Sequence, residues 1–236
     1  ERMAALARAY GIHLITNYET TWYPSTYEAQ RLAIADNALG PIRKIVVHDG
    51  HRGPVEIGCN PEFLAWLTDP TLNGGGAVTD FGCYGANLMT WLNGGVEPLT
   101  VTAVLQTLKP DVYPRVDDDA TIILTYPRMQ GIIQGSWNWP VGRKDMEIYG
   151  ATGYLIAVNS QTMRLRMHGD TAEQIIDLPP APDVVRDPFS YLAAVVRGVE
   201  QVVPGSLWSL ENGLSVVKIL DAARRSAREG RTVTLA

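Results

Sequence analysis

The chain opens on a helical rhythm. Met3, Leu6 and Tyr10 recur at helical spacing in "ERMAALARAYG", and Gly11 offers a left-handed C-terminal cap. The run Ile12 to Thr16 then predicts a short buried strand. A helix, a tight glycine and a strand form the closing half of a βαβ unit, and one such pair cannot build a layer alone. Residues 25–39 carry a second helical pattern through Tyr27, Leu32, Ala35 and Leu39, broken at Gly40-Pro41. "IRKIVVHDG" alternates and then runs apolar, as a strand does, and "PEFLAWL" predicts a short helix. A longer helix is predicted within "GGGAVTDFGCYGANLMTWL", led by glycines and stopped by "NGG".

From Val101 the texture changes. "VTAVLQTL", "ATIILTY", "GIIQGSWNW", "DMEIYG", "GYLIAV", "MRLRM" and "EQIIDL" are seven strand-like runs, most of them separated by turn signals such as Tyr126-Pro127, Gly150, Gly153 and His168-Gly169. Spacing this short favours an antiparallel meander over βαβ crossovers. Two helices close the chain. Asp187-Pro188 is an N-cap and N1 pair for the first. The second starts near Ser209, keeps Leu210, Leu214, Val217 and Leu220 on one face, and ends in arginines before Gly230. The expected fold class is α+β: a large, mainly antiparallel open sheet with helices on one face, preceded by a helix–strand stub. The uncovered face of such a sheet predicts self-association.

Composition narrows the function. Of 236 residues, 46% are hydrophobic and 19% charged, which suits a packed core. A net charge of −5, with no basic run, argues against nucleic-acid and anionic-membrane partners. No apolar stretch is long enough to span a membrane. Cys59 and Cys83 lack metal-ligand spacing and read as free thiols, so no metal is expected.

The segment that carries chemistry is Gly74 to Asn87. A Walker loop needs a lysine followed by Ser or Thr, but Gly76 leads into Ala77, Val78 and Thr79. A dinucleotide fingerprint fails at its third glycine here, and "GATG" at 150–153 fails as well. On a helix, Asp80, Tyr84 and Asn87 share one polar stripe in an otherwise apolar element. Buried polar groups need partners, and substrate hydroxyls in a cleft supply them. "HDGHRGP" ends a strand, which makes His51 and Arg52 candidate substrate contacts or an ordinary solvated loop.

"GGGAVTDFGCYGANLMTWL", "VDDDATIILTY", "GSWNWP", "MEIYGATGYL" and "SLENGLSVVKILDAARRSAREGRTVTL", in that order, resemble the Gfo/Idh/MocA oxidoreductases, a family named for glucose–fructose oxidoreductase, inositol dehydrogenase and a rhizopine-catabolism protein. The resemblance implies a Rossmann domain for NAD or NADP, then an α+β substrate and oligomerisation domain, with the active site at their junction. It places the end of the Rossmann domain at residues 1–20 and the second domain at 21–236. It implies Tyr84 as catalytic acid/base, Asp80 as its catalytic partner and Asn87 as the next substrate contact. The junction segment "NYETTWYP" aligns with G-Y-N-R-R-F-x-P, placing Asn17 at the cofactor and Tyr18 and Trp22 at the substrate; Thr20 and Thr21 replace the arginines. The glycine-rich dinucleotide turn and the E-K-P segment, whose lysine would lower the phenol's pKa, belong upstream of Glu1, so this polypeptide alone is expected to be inactive. The implied substrate is a sugar or cyclitol, and the implied assembly a homodimer or homotetramer through the open sheet. A cytoplasmic location is implied, with the periplasm left open because the sequence has no starting Met. Two alternatives stand beside this reading: an NAD-dependent glycosidase of the same family, and a non-catalytic sugar-sensing or assembly module.

Overall fold

A computed structural model describes residues 1–183 and 186–235. Among the described residues, nine strands form one open sheet in the order β8-β7-β6-β5-β1-β4-β3-β2-β9. They are β1 (Ile42–Gly50), β2 (Thr100–Gln106), β3 (Asp119–Thr125), β4 (Gln130–Ser136), β5 (Arg143–Gly150), β6 (Gly153–Ala157), β7 (Thr162–Met167), β8 (Gln174–Asp177) and β9 (Val233–Thr234). The helices are α1 (Arg2–Tyr10), α2 (Pro24–Gln30), α3 (Pro61–Leu67), α4 (Ala77–Asp80), α5 (Gly82–Leu92), α6 (Pro188–Val196) and α7 (Leu210–Glu229). The α+β class with an open, mainly antiparallel sheet is as expected, and all seven strand-like runs after Val101 are strands.

The sheet is not a plain meander. β1 enters its centre, antiparallel to β5 and parallel to β4. The burial of Ile45 and of Val47 through Gly50 fits that place, because a central strand has both edges paired and little contact with water. Ile45 and Val47 meet Ile133, Met146, Ile148 and the helix-borne Ala86 and Met89 in the main core. The other face carries Val46, Ile123, Ile132 and Ile156, all half-buried, among polar residues such as Gln134 and Glu147.

Three expectations need correction. Ile12 to Thr16 is extended chain rather than a strand: no described strand runs beside it, and a strand exists only where a neighbour takes its N–H and C=O groups. Thr16 N instead donates to Trp208 O. The helix expected over 25–39 is α2 followed by a π turn, Arg31–Ala35, ending where Asn37 takes φ 50° before Gly40. The long glycine-led helix is two pieces, with Phe81 between α4 and α5 at φ −112°.

The glycines before α4 have a specific cause. Asp117, on the loop before β3, accepts from Gly76 N (2.9 Å) and Val78 N (2.7 Å) through its carboxylate, and from Ala77 N (2.9 Å) through its carbonyl. A Cβ on Gly76 would overlap that carbonyl oxygen. Only a residue without a side chain lets the loop approach closely enough to cap the helix. Gly76→Ala is expected to cost about 1–3 kcal/mol, and Asp117→Asn about 1–2 kcal/mol as one charge-assisted cap is lost. Urea denaturation of the two variants measures both.

Candidate active site

The site forms where β1 ends. Successive strand residues alternate faces, so Ile45, Val47 and Asp49 point towards the helices, and Asp49 is paired in register with Lys144 of β5. The chain then leaves the sheet at His51. Above this edge, the Asp117 cap fixes the start of α4, so that Asp80 ends α4 and Tyr84 sits in the first turn of α5.

Each side chain has a specific support. Trp137, fully buried and packed on Tyr113 with ring centroids 4.8 Å apart, donates its indole N–H to Asp80 Oδ2 at 2.8 Å. Lys109 Nζ donates to the carbonyls of Trp137 (2.8 Å) and Arg52 (2.6 Å), tying the loop after His51 to the same block. His51 Nδ1 accepts from Gly53 N at 2.9 Å, so the neutral ring carries its proton on Nε2. That ring meets Phe81 edge-on at 4.9 Å. Tyr18 meets Tyr84 edge-on at 6.3 Å. Lys144 pairs with Glu19 and holds its ammonium 5.0 Å from the centre of the Tyr84 ring. A cleft of about 590 Å³ opens beside them, lined by Tyr23, His51, Arg143, Lys144, Asp145 and Asn159 among others.

Burial dominates the electrostatics. It raises the Asp80 carboxyl, against the pull of the Trp137 N–H and the Lys144 charge. It also pushes Asp49 up to about 8, again with Lys144 opposing. Tyr84 is driven well above an ordinary phenol by burial first, then by Cys83, Asp49, Asp80 and Glu19. Burial would raise Glu19 too, but hydrogen bonds from Lys144 and Tyr23 outweigh it and hold the carboxyl below its usual range. His51 is lowered by burial and by Lys144, which favours the neutral imidazole. The cluster therefore offers a neutral phenol, a neutral imidazole N–H and carboxyl groups able to exchange hydrogen bonds with hydroxyls, Asp49 being largely protonated at neutral pH and Glu19 ionised.

Of the residues singled out from the sequence, Asp80, Tyr84, Tyr18 and His51 come together here. Asn87 does not join them. It is fully buried one turn further along α5, where its carbonyl accepts from Asn212 Nδ2 of α7 (3.2 Å) and its amide donates to Thr21 Oγ1 (3.4 Å). The stripe that aligned it with Asp80 and Tyr84 runs into a helix–helix contact. Trp22 stacks on Trp208 with centroids 5.5 Å apart and donates to Asn17 Oδ1 at 2.7 Å, within an aromatic group that includes Tyr191. Arg52 has an exposed side chain and contributes its carbonyl to Lys109.

Four residues of the site were not singled out. Asp49 had a signal: an acid on the apolar side of an alternating strand. Glu19 lay inside the junction segment. Trp137 lay inside the quoted segment "GSWNWP", and Lys144 had no signal, since strand pairing brings it to Tyr84. On the opposite sheet face His48, Asp145 and Glu147 gather, with Arg143 paired to both carboxylates. In that group His48 Nδ1 lies 2.9 Å from Asp145 Oδ1, and Tyr149 donates its hydroxyl to Glu147.

A family model described as the GFO/IDH/MocA C-terminal domain matches residues 27–156, more than half of the chain. The trans-1,2-dihydrobenzene-1,2-diol dehydrogenase of Sus scrofa is 29% identical over 135 residues, which are 57% of this chain and 35% of that enzyme. The aldose–aldose oxidoreductase of Caulobacter crescentus, solved with glycerol, is 28% identical with a TM-score of 0.77, covering 99% of this chain and 67% of that one. An inositol dehydrogenase homologue of Azotobacter vinelandii, solved with NAD+, shares the fold at 19% identity and a TM-score of 0.77, over 99% of this chain and 69% of its own. This chain thus spans about a third of the dihydrodiol dehydrogenase and two thirds of the solved oxidoreductases. With the capped helix head, the mixed open sheet and the family model in agreement, the chain belongs to the Gfo/Idh/MocA family of oxidoreductases.

Proposed function

We propose that this chain is the substrate-side part of a NAD- or NADP-dependent oxidoreductase acting on a sugar or cyclitol CH–OH group. In this reading residues 1–20 end the dinucleotide-binding domain and residues 21–236 form the substrate domain. The observation that carries it is the grouping of Asp80 on Trp137, Tyr84 under the Lys144 ammonium and His51 on Phe81, beside a cleft that His51 and Lys144 line at the end of β1. Relatives named for an aldose and for a dihydrodiol support a substrate with neighbouring hydroxyl-bearing carbons.

Oxidising a carbinol removes a hydride from carbon and a proton from oxygen, and this chain's residues handle the proton. Tyr84 exchanges it with the substrate hydroxyl. Asp80, oriented by the Trp137 N–H, accepts from a second hydroxyl and holds the ring in place. His51, through Nε2–H, donates to a third oxygen. Tyr18 closes the apolar side of the cleft against Tyr84, and Asn17 faces the cofactor. Trp22 and Arg52 act at most on the rim, and Asn87 fixes α5 against α7. A phenol raised by burial is a poor base at neutral pH, so added positive charge near the phenol is part of the working site.

The glycine turn does not fit a pyrophosphate, because Asp117 already occupies the N–H groups of Gly76, Ala77 and Val78. We therefore assign the dinucleotide to residues outside this chain, as the greater length of the solved relatives supports. When bound, it supplies the hydride acceptor. The half-buried apolar residues of the uncovered face, Val46, Ile123, Ile132 and Ile156, are proposed as the contact between copies in a homodimer or homotetramer.

Two measurements test this. Tyr84→Phe in the full-length enzyme is expected to lower kcat by about 10²-fold or more while the thermal unfolding midpoint is unchanged; near-normal turnover would remove Tyr84 from the reaction. Titration of this chain with NAD(P)H, followed by nicotinamide fluorescence, is expected to show no saturation at micromolar concentrations. Micromolar affinity would place the dinucleotide site within it.

A further inference from the structure

β1 carries a carboxylate where its alternation calls for an apolar side chain. Asp49 is 0% exposed, and neither of its carboxylate oxygens has a hydrogen-bond partner among the described residues. Across the sheet its register partner is Lys144. The two line a cavity of about 10 Å³, room for a single water, together with Thr20, whose buried hydroxyl is also unpartnered. Tyr23, Lys144 and Asp145 line both this cavity and the open cleft, so it lies against the floor of the site. A buried, unpaired carboxyl costs stability, and where it adjoins reactive groups it marks a functional position.

We propose that Asp49 and Lys144 are positioning residues that act through Tyr84, a carboxylate–ammonium couple whose opposed charges set how readily the phenol loses and regains its proton. The proposal rests on the reading of Tyr84 as the proton-exchanging residue. The Lys144 ammonium lies 5.0 Å from the Tyr84 ring centre and 6.0 Å from that of Phe81, and pairs with Glu19. It therefore stands near both Glu19, half-exposed on the turn before Trp22, and Asp49 beneath. The groups that bear on Asp49 are Lys144 and Asp145 of β5, Glu19 and Tyr23 of the junction segment, and Asp80 of α4. Asp49 raises the phenol of Tyr84, as do Cys83, Asp80 and Glu19.

The signs of the two members differ. Once Asp49 ionises, around pH 8, its charge opposes the phenolate, so removing it makes the phenolate easier to form there, and removing the Lys144 ammonium makes it harder. A purely structural pair would lower stability in both variants and leave the titration of turnover where it was.

The test is the pH profile of kcat in the full-length enzyme. Lys144→Met is expected to move the rising limb upward by about one pH unit, Asp49→Asn to move it downward, and Lys144→Arg to restore the wild-type position. Shifts in the same direction, or an unmoved limb in both variants, would overturn the proposal. Carbon-13 NMR of the aspartate carboxyls in this chain isolates the couple from the reaction. One carboxyl is expected to titrate near pH 8, to vanish in Asp49→Asn and to keep its midpoint in Lys144→Arg. If every aspartate instead titrates at about pH 4, as unperturbed carboxyls do, the couple does not exist, whatever the fate of Tyr84→Phe.

Discussion

The site depends on a loop reaching a helix start. Asp117 places its carboxylate and its carbonyl on three consecutive backbone N–H groups at the head of α4, closer than any side chain at Gly76 would permit. That contact sets where α4 begins, hence where Asp80 points one turn later and where α5, which carries Tyr84, starts. The neighbouring acids serve the same block. Asp118 accepts from Leu108 N and Lys109 N (both 2.7 Å), and Asp119 accepts from Ser136 Oγ (2.7 Å). Lys109, fixed by Asp118, then carries the carbonyl of Trp137, whose indole holds Asp80. Three adjacent aspartates thus build the frame of the site without entering its chemistry.

The second constraint is the place of β1. A strand from early in the chain, inserted between β5 and β4, brings Asp49 and His51 to the centre of a sheet otherwise made of later residues. The same pairing sets Lys144 opposite Asp49, so the cation of the cleft comes from a strand nearly a hundred residues away. Burial then raises the carboxyls of Asp80 and Asp49 and the phenol of Tyr84, while Lys144 works against it at both carboxyls. Away from solvent, these opposed charges act on one another more strongly.

Local signals in the sequence were read well. The strands after Val101 and the Asp187 and Ser209 caps follow from periodicity and end chemistry, which act within a few residues. What the sequence hid is non-local. The parallel pairing of β1 with β4, the approach of Lys144 to Tyr84 and the indole donor to Asp80 depend on register and loop packing. Asn87 shows the limit of a helical stripe: the helix breaks at Phe81, and α7 packs on α5 so that Asn212 Nδ2 donates to the main-chain and side-chain oxygens of Asn87. Ile12 to Thr16 has strand composition and lacks a strand beside it, so composition alone did not decide its state.

The central claim is that polyol hydroxyls are received beside the end of β1 through Asp80. Trp137 reports on it directly, because its indole N–H is donated to the carboxylate the substrate would engage. In proton–nitrogen correlation spectra of this chain, adding a cyclitol to tens of millimolar is expected to shift the Trp137 indole signal, assigned with Trp137→Phe, while Trp66 and Trp91 stay in place. Shifts confined to Trp208, or none at any indole, would contradict the account.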